Sequence, residues 1–317
     1  METKEFTAYL ESKNLTVKTI ATRIKYVEQF FAQTKKEDVQ ISKADVLDFL
    51  EFLKTKNLGN AYRRHYLDAL NSYFVFLCEA GFIAKNPCLL LKIRGVKRKT
   101  LYRIYTTEEL DNIFDNYYLL FVRNFTPNGT NMPQKWQKQW VLSKERNALL
   151  LSVLLNQGVK TGEVEKIEMD DLDLIKATIK IHGTKRSNCR TLPLKASQIG
   201  LFMNYLQNVR PQLLQYHTTE PKNLFFPIAK NNPKGATDRV LNNVFHALTN
   251  QLKTIDKQFL NLKQVRVSVI TNWLKTEGLR KTQYLAGHRY TSSTENYLPN
   301  NLDNLVDDIN KLHPFDL

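Results

Sequence analysis

The helical spacing of apolar residues over the first ninety positions constrains the fold most. No run of alternating polar and apolar residues interrupts this part of the chain, so strands are not expected there. Ser42, followed three residues later by Asp45, has the pattern of a capping box at a helix start. The preceding helix has apolar residues at intervals of four, three and four, which share one face: Ile20, Ile24, Val27 and Phe31. The pattern predicts a compact bundle of four helices.

The fourth of these helices is predicted from about Asn60 to Ala80, with Gly81 as its C-terminal stop. Its first turns carry a basic and aromatic cluster, YRRHY, at positions 62–66. Such a cluster suits a polyanionic backbone, although a solvated helix start with amphipathic arginines explains it equally well. The apolar face of the helix is predicted to be buried: Leu67, Leu70, Phe74 and Leu77.

A different pattern follows the basic stretch 93–105, which we interpret as an interdomain linker. Positions 178–182 alternate as a strand, and positions 190–194 follow after a basic tip that contains Lys185 and Arg186, as in a β-hairpin. Proline and glycine signals predict a surface loop over 122–142, before an apolar helix over 144–157. The expected fold is therefore mainly α, with a helical domain at 1–92 and an α+β domain with a small antiparallel sheet at 106–317.

The charge balance favours a polyanionic partner. Lys and Arg number 46 against 31 Asp and Glu, for a net charge of +15, so nucleic acid is the first candidate and an anionic membrane surface the second. Three cysteines without metal-binding spacing, and the absence of phosphate-binding glycine motifs, lead us to expect neither a metal ion nor a nucleotide cofactor. Because no apolar run reaches about 18 residues and the N-terminus is charged, we expect a cytoplasmic protein and no membrane partner.

Four short motifs occur in order in the second domain. NQGVKTGE spans 156–163, the hairpin with Lys185 leads to RTLPL at 190–194, KQVR spans 263–266, and LAGH at 285–288 is followed nine residues later by Tyr297. This ordered set resembles the tyrosine recombinases, or phage integrases. The N-terminal helices resemble the SAM-like core-binding domain of that family, so the resemblance covers nearly the whole chain except about 120–142 and the last dozen residues.

The resemblance implies a chemistry that needs neither metal nor ATP. These enzymes attack a scissile DNA phosphate with a tyrosine hydroxyl, form a transient 3′-phosphotyrosyl link and reverse it with the 5′-hydroxyl of a partner strand. It implies that Tyr297 is the nucleophile, that Arg266 and His288 hold the non-bridging phosphate oxygens with help from Lys263, and that Lys185 protonates the leaving 5′-oxygen. A phenol of pKa ~10 needs a base to attack near neutrality, and either Lys263 or His288 could serve.

Lys160 departs from the family pattern, because it stands where the family has its first arginine. Lysine keeps the charge but loses the planar two-point fork, which puts the rate of catalysis in doubt. Two assignments have rivals: Arg186 competes with Lys185 at the hairpin tip, and Tyr290 competes with Tyr297. We expect His288 to begin a helix, and a hydroxyl-rich turn to join it to a second helix that presents Tyr297.

The resemblance also implies partners. The first is double-stranded DNA. The protein is expected to be a monomer when free and to form a tetrameric synapse with further copies of itself on DNA. Accessory DNA-bending proteins are the third kind of partner. An amphipathic segment at 301–312 packs either on its own domain or on a neighbouring subunit. The expected function is that of a site-specific recombinase, the integrase of a mobile element, with transposition, inversion and chromosome-dimer resolution open to the same residues. The alternatives are a DNA-binding protein of this fold with weakened catalysis and a type IB topoisomerase-like enzyme.

Overall fold

A computed structural model describes residues 3–95, 102–126, 134–184, 187–217, 221–226 and 237–298, without the side chains of 3, 134–136 and 237–240. The chain divides into two compact units, Met1–Thr100 and Leu101–Leu317, each with its own hydrophobic core. Within the described ranges, no helix combines the length and the apolar character that crossing a membrane requires. The mainly helical fold with a small antiparallel sheet is as predicted.

The first unit is a bundle of four helices in its described part. They are α1 (Thr3–Ser12), α2 (Val17–Thr34), α3 (Lys43–Thr55) and α4 (Asn60–Glu79). The predicted apolar face of α4 is buried, and α3 also buries one face. The stripe on α2 centres on Val27 and Phe30, while Ile24 and Phe31 flank it and are half-buried. The bundle therefore packs around aromatic side chains of α1, α2 and α4, including Phe6, Phe30, Tyr73 and Phe74.

Side chains stabilise the helix ends where the sequence predicts them. The Ser42 hydroxyl accepts a hydrogen bond from the Asp45 amide, and the Asp45 carboxylate accepts one from the Ser42 amide at 2.8 Å, which completes the capping box. Thr16 caps α2 in the same way through its hydroxyl. Gly81, at φ +79°, follows α4 in the left-handed region that glycine adopts without strain.

The basic and aromatic cluster at 62–66 divides between core and surface. Tyr66 is buried, stacks on Tyr26 at 4.1 Å between ring centroids and donates its hydroxyl to Gln29. Arg63 donates to the Leu50 carbonyl at 3.2 Å. These two side chains therefore stabilise the bundle, and contact of the cluster with a polyanion stays a prediction. The exposed members are Tyr62, Arg64 and His65.

The second unit combines eight helices with a three-stranded sheet in its described part. Its helices are α5 (Thr107–Tyr118), α6 (Gln134–Gln157), α7 (Thr161–Val164), α8 (Ala196–Asn204), α9 (Arg210–Leu214), α10 (Thr237–Ile255), α11 (Leu262–Ala286) and α12 (Thr291–Glu295). Short π-helical turns at Leu119–Arg123 and Tyr205–Val209 extend α5 and α8. The buried residues of α6 and the first half of α11 provide much of the core.

The predicted loop over 122–142 is wrong for its second half, because α6 begins at Gln134. The proline and glycine residues that suggested the loop lie at 127–133, outside the described residues. The predicted loop therefore extends too far toward the C-terminus. Trp140 packs edge-on against Phe125 at 4.9 Å. The ammonium of Lys144, itself buried, lies over these two rings and that of Phe121 at 5.2–5.8 Å, so this part of the helix is anchored by cation–π contacts.

The sheet is antiparallel, with β1 (Leu172–Asp173), β2 (Thr178–Ile181) and β3 (Arg190–Pro193) in that order. Ile179 pairs with Leu192 and Ile181 pairs with Arg190, and all four side chains are buried on one face. The alternation predicts this face for the isoleucines, but it does not predict that an arginine shares it. Arg190 is thereby directed into the interior of the unit.

Residues 102–105, the end of the predicted linker, pack within the second unit. Tyr105 is buried and donates its hydroxyl to Asp256 at 2.7 Å, and its backbone amide donates to the hydroxyl of Ser268 at 3.0 Å. Arg103 forms ion pairs with Glu109 and Asp256. These contacts secure the beginning of the unit against α11.

Candidate active site

Arg266 lies in the second turn of α11 and is held by backbone carbonyls. Asn261 begins the helix by accepting hydrogen bonds from the amides of Lys263 and Gln264, which orients the first turns. The Arg266 guanidinium, 5% exposed, donates to the carbonyls of Gly158 and Ala286. Burial lowers the pKa of this arginine, and the nearby negative charge of Glu163 opposes that shift. One buried guanidinium thus joins the segments that follow α6 and end α11.

His288 follows the C-terminal cap of α11, Gly287, and is 7% exposed. Its Nε2 lies 3.3 Å from Nη2 of Arg266, and its Nδ1 lies 2.9 Å from Oγ1 of Thr294. Burial, followed by the positive charges of Arg266 and Lys160, lowers the pKa of His288 to about 4. The imidazole is therefore neutral near pH 7. It lies in the turn between two helices and does not begin a helix, contrary to the expectation.

Tyr297 is placed directly against His288. The two rings stack with centroids 5.5 Å apart and planes 22° apart, and Tyr297 lines the same pocket as Arg266. The predicted hydroxyl-rich turn is instead the short helix α12, and Tyr297 lies in the turn that follows it. No glycine or proline interrupts the segment between His288 and Tyr297, which allows one helical turn to form.

A pocket of about 280 Å³ opens in front of Arg266 and Tyr297. Lys160 and Lys263 line it from the turn before α7 and the first turn of α11, and both are exposed. Three cations and one phenol therefore face the same cavity, which suits a phosphate group. The remaining lining residues are Val159, Thr161, Leu262 and Val267. In the described part of the chain, no group of three or more His, Cys, Asp or Glu side chains is placed to hold a metal ion.

The sixth predicted residue, Lys185, lies outside the described residues, as does its rival Arg186. The described ends of the hairpin pair with each other through Thr184 and Ser187, at 2.9 and 3.2 Å. Ser187 pairs in turn with His288, and the Asn188 amide donates to the Gly287 carbonyl at 2.9 Å. The described part of the hairpin therefore lies against the turn that carries the histidine.

Tyr290, the rival of Tyr297, is 66% exposed and does not line the pocket. It immediately precedes α12 in extended backbone. Its position separates it from Arg266 and from the two pocket lysines, whereas Tyr297 lines the pocket with all three.

The sequence motifs contain a buried ion pair that we did not predict. The Glu163 carboxylate accepts two hydrogen bonds from Arg190, at 3.2 and 3.0 Å, and one from the Lys160 amide at 2.9 Å, and it lies 3.8 Å from Arg266. Burial by itself would raise the pKa of Glu163, but the hydrogen bonds and charge of Arg190 outweigh it and lower the pKa. The sequence signal that could have predicted this pair is Arg190, which stands at an inward-facing position of the alternating strand β3.

Gly287 accommodates the Arg190 side chain. A Cβ at this position would lie 2.5 Å from Nη1 and 3.0 Å from Cζ of Arg190, and the backbone of Gly287 has φ +68°. Only glycine meets both demands, since it has no side chain and enters the left-handed region freely. The glycine of LAGH thus lets a buried guanidinium pass directly beneath the histidine turn.

Comparisons with known proteins agree on one family. Residues 136–303 match the model of the phage integrase family. The chain is 25% identical over 293 residues to the tyrosine recombinase XerC of Roseiflexus sp. (strain RS-1), covering 90% of this chain and 85% of that protein. Its fold resembles the Tn1549 transposon integrase in complex with transposon right end DNA, with a TM-score of 0.62, 15% identity and 98% of both chains covered. It also resembles the XerH site-specific recombinase bound to a palindromic difH substrate, with a TM-score of 0.61, 18% identity, and 92% of this chain and 78% of that chain covered.

Proposed function

Because the chain belongs to the phage integrase family, we propose that it is a site-specific DNA recombinase that cuts and rejoins strands through Tyr297. The observation that carries the proposal is the placement of this tyrosine. Its ring stacks on His288, and it borders a pocket that Arg266, Lys160 and Lys263 also line. A nucleophile and three cations meet at one cavity of a size that suits a phosphate, and a proton acceptor stacks on the nucleophile.

The proposed reaction is a transesterification at phosphorus. The Tyr297 oxygen forms a bond to the scissile phosphorus, the bond to the 5′-oxygen breaks, and a 3′-phosphotyrosyl link holds the cut strand. Lys185 gives its proton to the leaving 5′-oxygen. The 5′-hydroxyl of a partner strand then reverses these steps and releases the tyrosine. Because the number of phosphoester bonds does not change, no external energy source is needed.

The cations of the pocket stabilise the charge that this reaction gathers. A pentavalent phosphorane concentrates negative charge on its non-bridging oxygens, which Arg266, Lys160 and Lys263 would meet in a preorganised site. As a neutral imidazole, His288 can take up the phenol proton, and the imidazolium formed then adds a further positive charge. Lys263 is the alternative base, since it borders the same pocket.

The proposed substrate is double-stranded DNA, and the proposed biological role is the integrase of a mobile element in the cytoplasm. The net charge of +15 supports a nucleic-acid partner. We further propose that the chain is a monomer when free, that it assembles into a tetramer on two DNA duplexes, and that DNA-bending proteins assist it. The transposon integrase with a similar fold makes transposition a natural form of this role.

A nicked duplex that traps the covalent intermediate tests the proposal. A target is first selected by binding from a random duplex library and confirmed by footprinting, and it is then nicked beside each candidate phosphate. The wild-type protein is expected to form a covalent adduct, Tyr297→Phe none, and Tyr290→Phe as much as wild type. No adduct on a confirmed binding site would favour the alternative that Lys160 motivates, a DNA-binding protein that has lost catalysis. Relaxation of an arbitrary supercoiled plasmid by the monomer would favour the topoisomerase-like alternative.

A further inference from the structure

Thr294 is fully buried and contacts both His288 and Tyr297. Its hydroxyl oxygen lies 2.9 Å from Nδ1 of His288, and its backbone carbonyl accepts a hydrogen bond from the Tyr297 amide, also at 2.9 Å. It is the one side chain of the short helix α12 that is fully buried. It does not line the pocket.

The hydrogen bonds around His288 determine which ring nitrogen carries the proton. A guanidinium only donates, so Nε2 of a neutral imidazole beside Nη2 of Arg266 must accept. The proton then resides on Nδ1, which donates to the Thr294 hydroxyl. The opposite tautomer would set two donors against each other at Arg266. Because a hydroxyl can donate or accept, Arg266 sets the tautomer, and Thr294 accepts the resulting Nδ1 proton and holds the ring in place from the opposite side.

This tautomer directs the proton-accepting nitrogen of His288 toward Arg266, which lines the pocket together with Tyr297. Nε2 faces Arg266, whereas Nδ1 faces the buried Thr294. We propose that Thr294 is a positioning residue that fixes His288 with Nε2 toward Arg266 and sets the register between the histidine and Tyr297. The inference rests on the proposed function for its catalytic consequence, although the tautomer itself is a property of the free protein.

The experiment compares Thr294→Val, which removes the hydroxyl at similar volume, with Thr294→Ser, which keeps it. The protein carries six histidines, so the ring signals of His288 in ¹⁵N-histidine-labelled protein are assigned by their loss in His288→Gln. Wild type and Thr294→Ser are expected to show an Nδ1–H tautomer near neutral pH with its proton hydrogen-bonded. In Thr294→Val the tautomer should persist because Arg266 still donates toward Nε2, but the Nδ1 proton loses its acceptor, so its signal should shift upfield and exchange faster with water. The rate of adduct formation on the nicked duplex should fall about five- to tenfold in Thr294→Val, as for one lost hydrogen bond, and stay close to wild type in Thr294→Ser.

The tautomer and the rate separate the possible failures. An Nε2–H tautomer in wild type, or an Nδ1 proton signal in Thr294→Val identical to that of wild type, would overturn the inference even if the rate falls. If wild type forms no adduct, the proposed function fails, while the comparison of the Nδ1 proton signals still decides whether Thr294 orients the ring. Thr294→Ala serves as the second variant if Thr294→Val does not fold, and the wild-type spectrum alone can refute the assignment.

Discussion

Arg190 and Glu163 form a two-point ion pair whose side chains are 0% and 1% exposed. The pair joins the returning strand of the hairpin to the turn that begins with Lys160. It lies beneath Gly287, whose missing side chain leaves room for the guanidinium. The segments that carry Lys160 and His288 therefore both pack on this buried ion pair. The Glu163 carboxylate also lies 3.8 Å from the Arg266 guanidinium.

Arg190→Met is expected to lower the free energy of unfolding by about 3–5 kcal/mol, because it leaves a buried carboxylate without its main partner. The matched control is Lys281→Met, which breaks an exposed i,i+4 pair with Glu277 on α11 and should cost no more than about 0.5 kcal/mol. Urea unfolding followed by tryptophan fluorescence measures both. Equal effects of the two substitutions would show that the buried pair contributes no more than a surface pair.

Gly287→Ala tests the close approach of the histidine turn to Arg190. Backbone strain at φ +68° and the clash with the guanidinium together should cost about 2–4 kcal/mol. Gly278 has a similar φ of +74° with no atom within 4 Å of an added Cβ, so Gly278→Ala isolates the backbone strain at about 1–2 kcal/mol. Adduct formation should fall only in Gly287→Ala. Indistinguishable unfolding curves for the two variants would exclude the clash.

The stability of the second unit should fall as pH drops from about 6.5 to 4. The folded-state pKa of His288, about 4, lies below the ordinary value of 6.5. Between pH 6.5 and 4 the unfolded chain therefore binds a proton that the native state does not bind. The contribution is present above pH 6.5 and lost as pH falls toward 4, with a limit of roughly 3 kcal/mol. The charged groups acting on His288 are Arg266, Lys160, Arg190 and Glu163.

Urea unfolding at about pH 7 and pH 4.5 measures this loss. His288→Gln should lose less stability over the interval than wild type. His65→Gln, which removes an exposed histidine of α4, should follow the wild-type curve. If wild type and His288→Gln lose the same stability, the lowered pKa of His288 is refuted.

Lys160→Arg should accelerate adduct formation by up to about tenfold, because arginine restores a planar fork that binds two phosphate oxygens. Lys160 lines the pocket with Arg266, whereas Lys166 is exposed and does not, so Lys166→Arg is the control. Single-turnover kinetics on the nicked duplex give the rates. An unchanged or lower rate in Lys160→Arg would remove Lys160 from the phosphate site.

Local signals in the sequence were sufficient for most of the fold. The capping box of Ser42 and Asp45 and the alternation at 178–182 each depend on neighbours a few residues apart, so they could be interpreted directly. The prediction of a loop over 122–142 was wrong in its second half because the turn residues at 127–133 also act only locally. They carry no information about where the following helix begins. The prediction of a turn after His288 and a helix presenting Tyr297 was wrong for a similar reason, since the boundaries of one-turn helices depend on tertiary contacts.

The candidate site was predictable only through the order of its motifs. Periodicity does not reveal that Arg266, His288 and Tyr297 converge, whereas their resemblance to a family does. The pair of Glu163 and Arg190 connects residues 27 positions apart through burial, and neither side chain looks internal by composition. The partner of Nδ1 of His288 was equally hidden, because any of the hydroxyl residues at 291–294 fits the spacing.

The two segments that form the site, α11 and α12 with the turn after it, are expected to differ in local stability. On α11, every residue from Gln264 to Thr271 is buried, so its amides should exchange with deuterium only in global unfolding. On α12 and the turn after it, Thr294 is the single fully buried residue, so opening this segment exposes little apolar surface. We therefore expect Tyr297 to leave its place by local unfolding while Arg266 stays fixed, so that delivery of the proposed nucleophile has a rate separate from that of global unfolding.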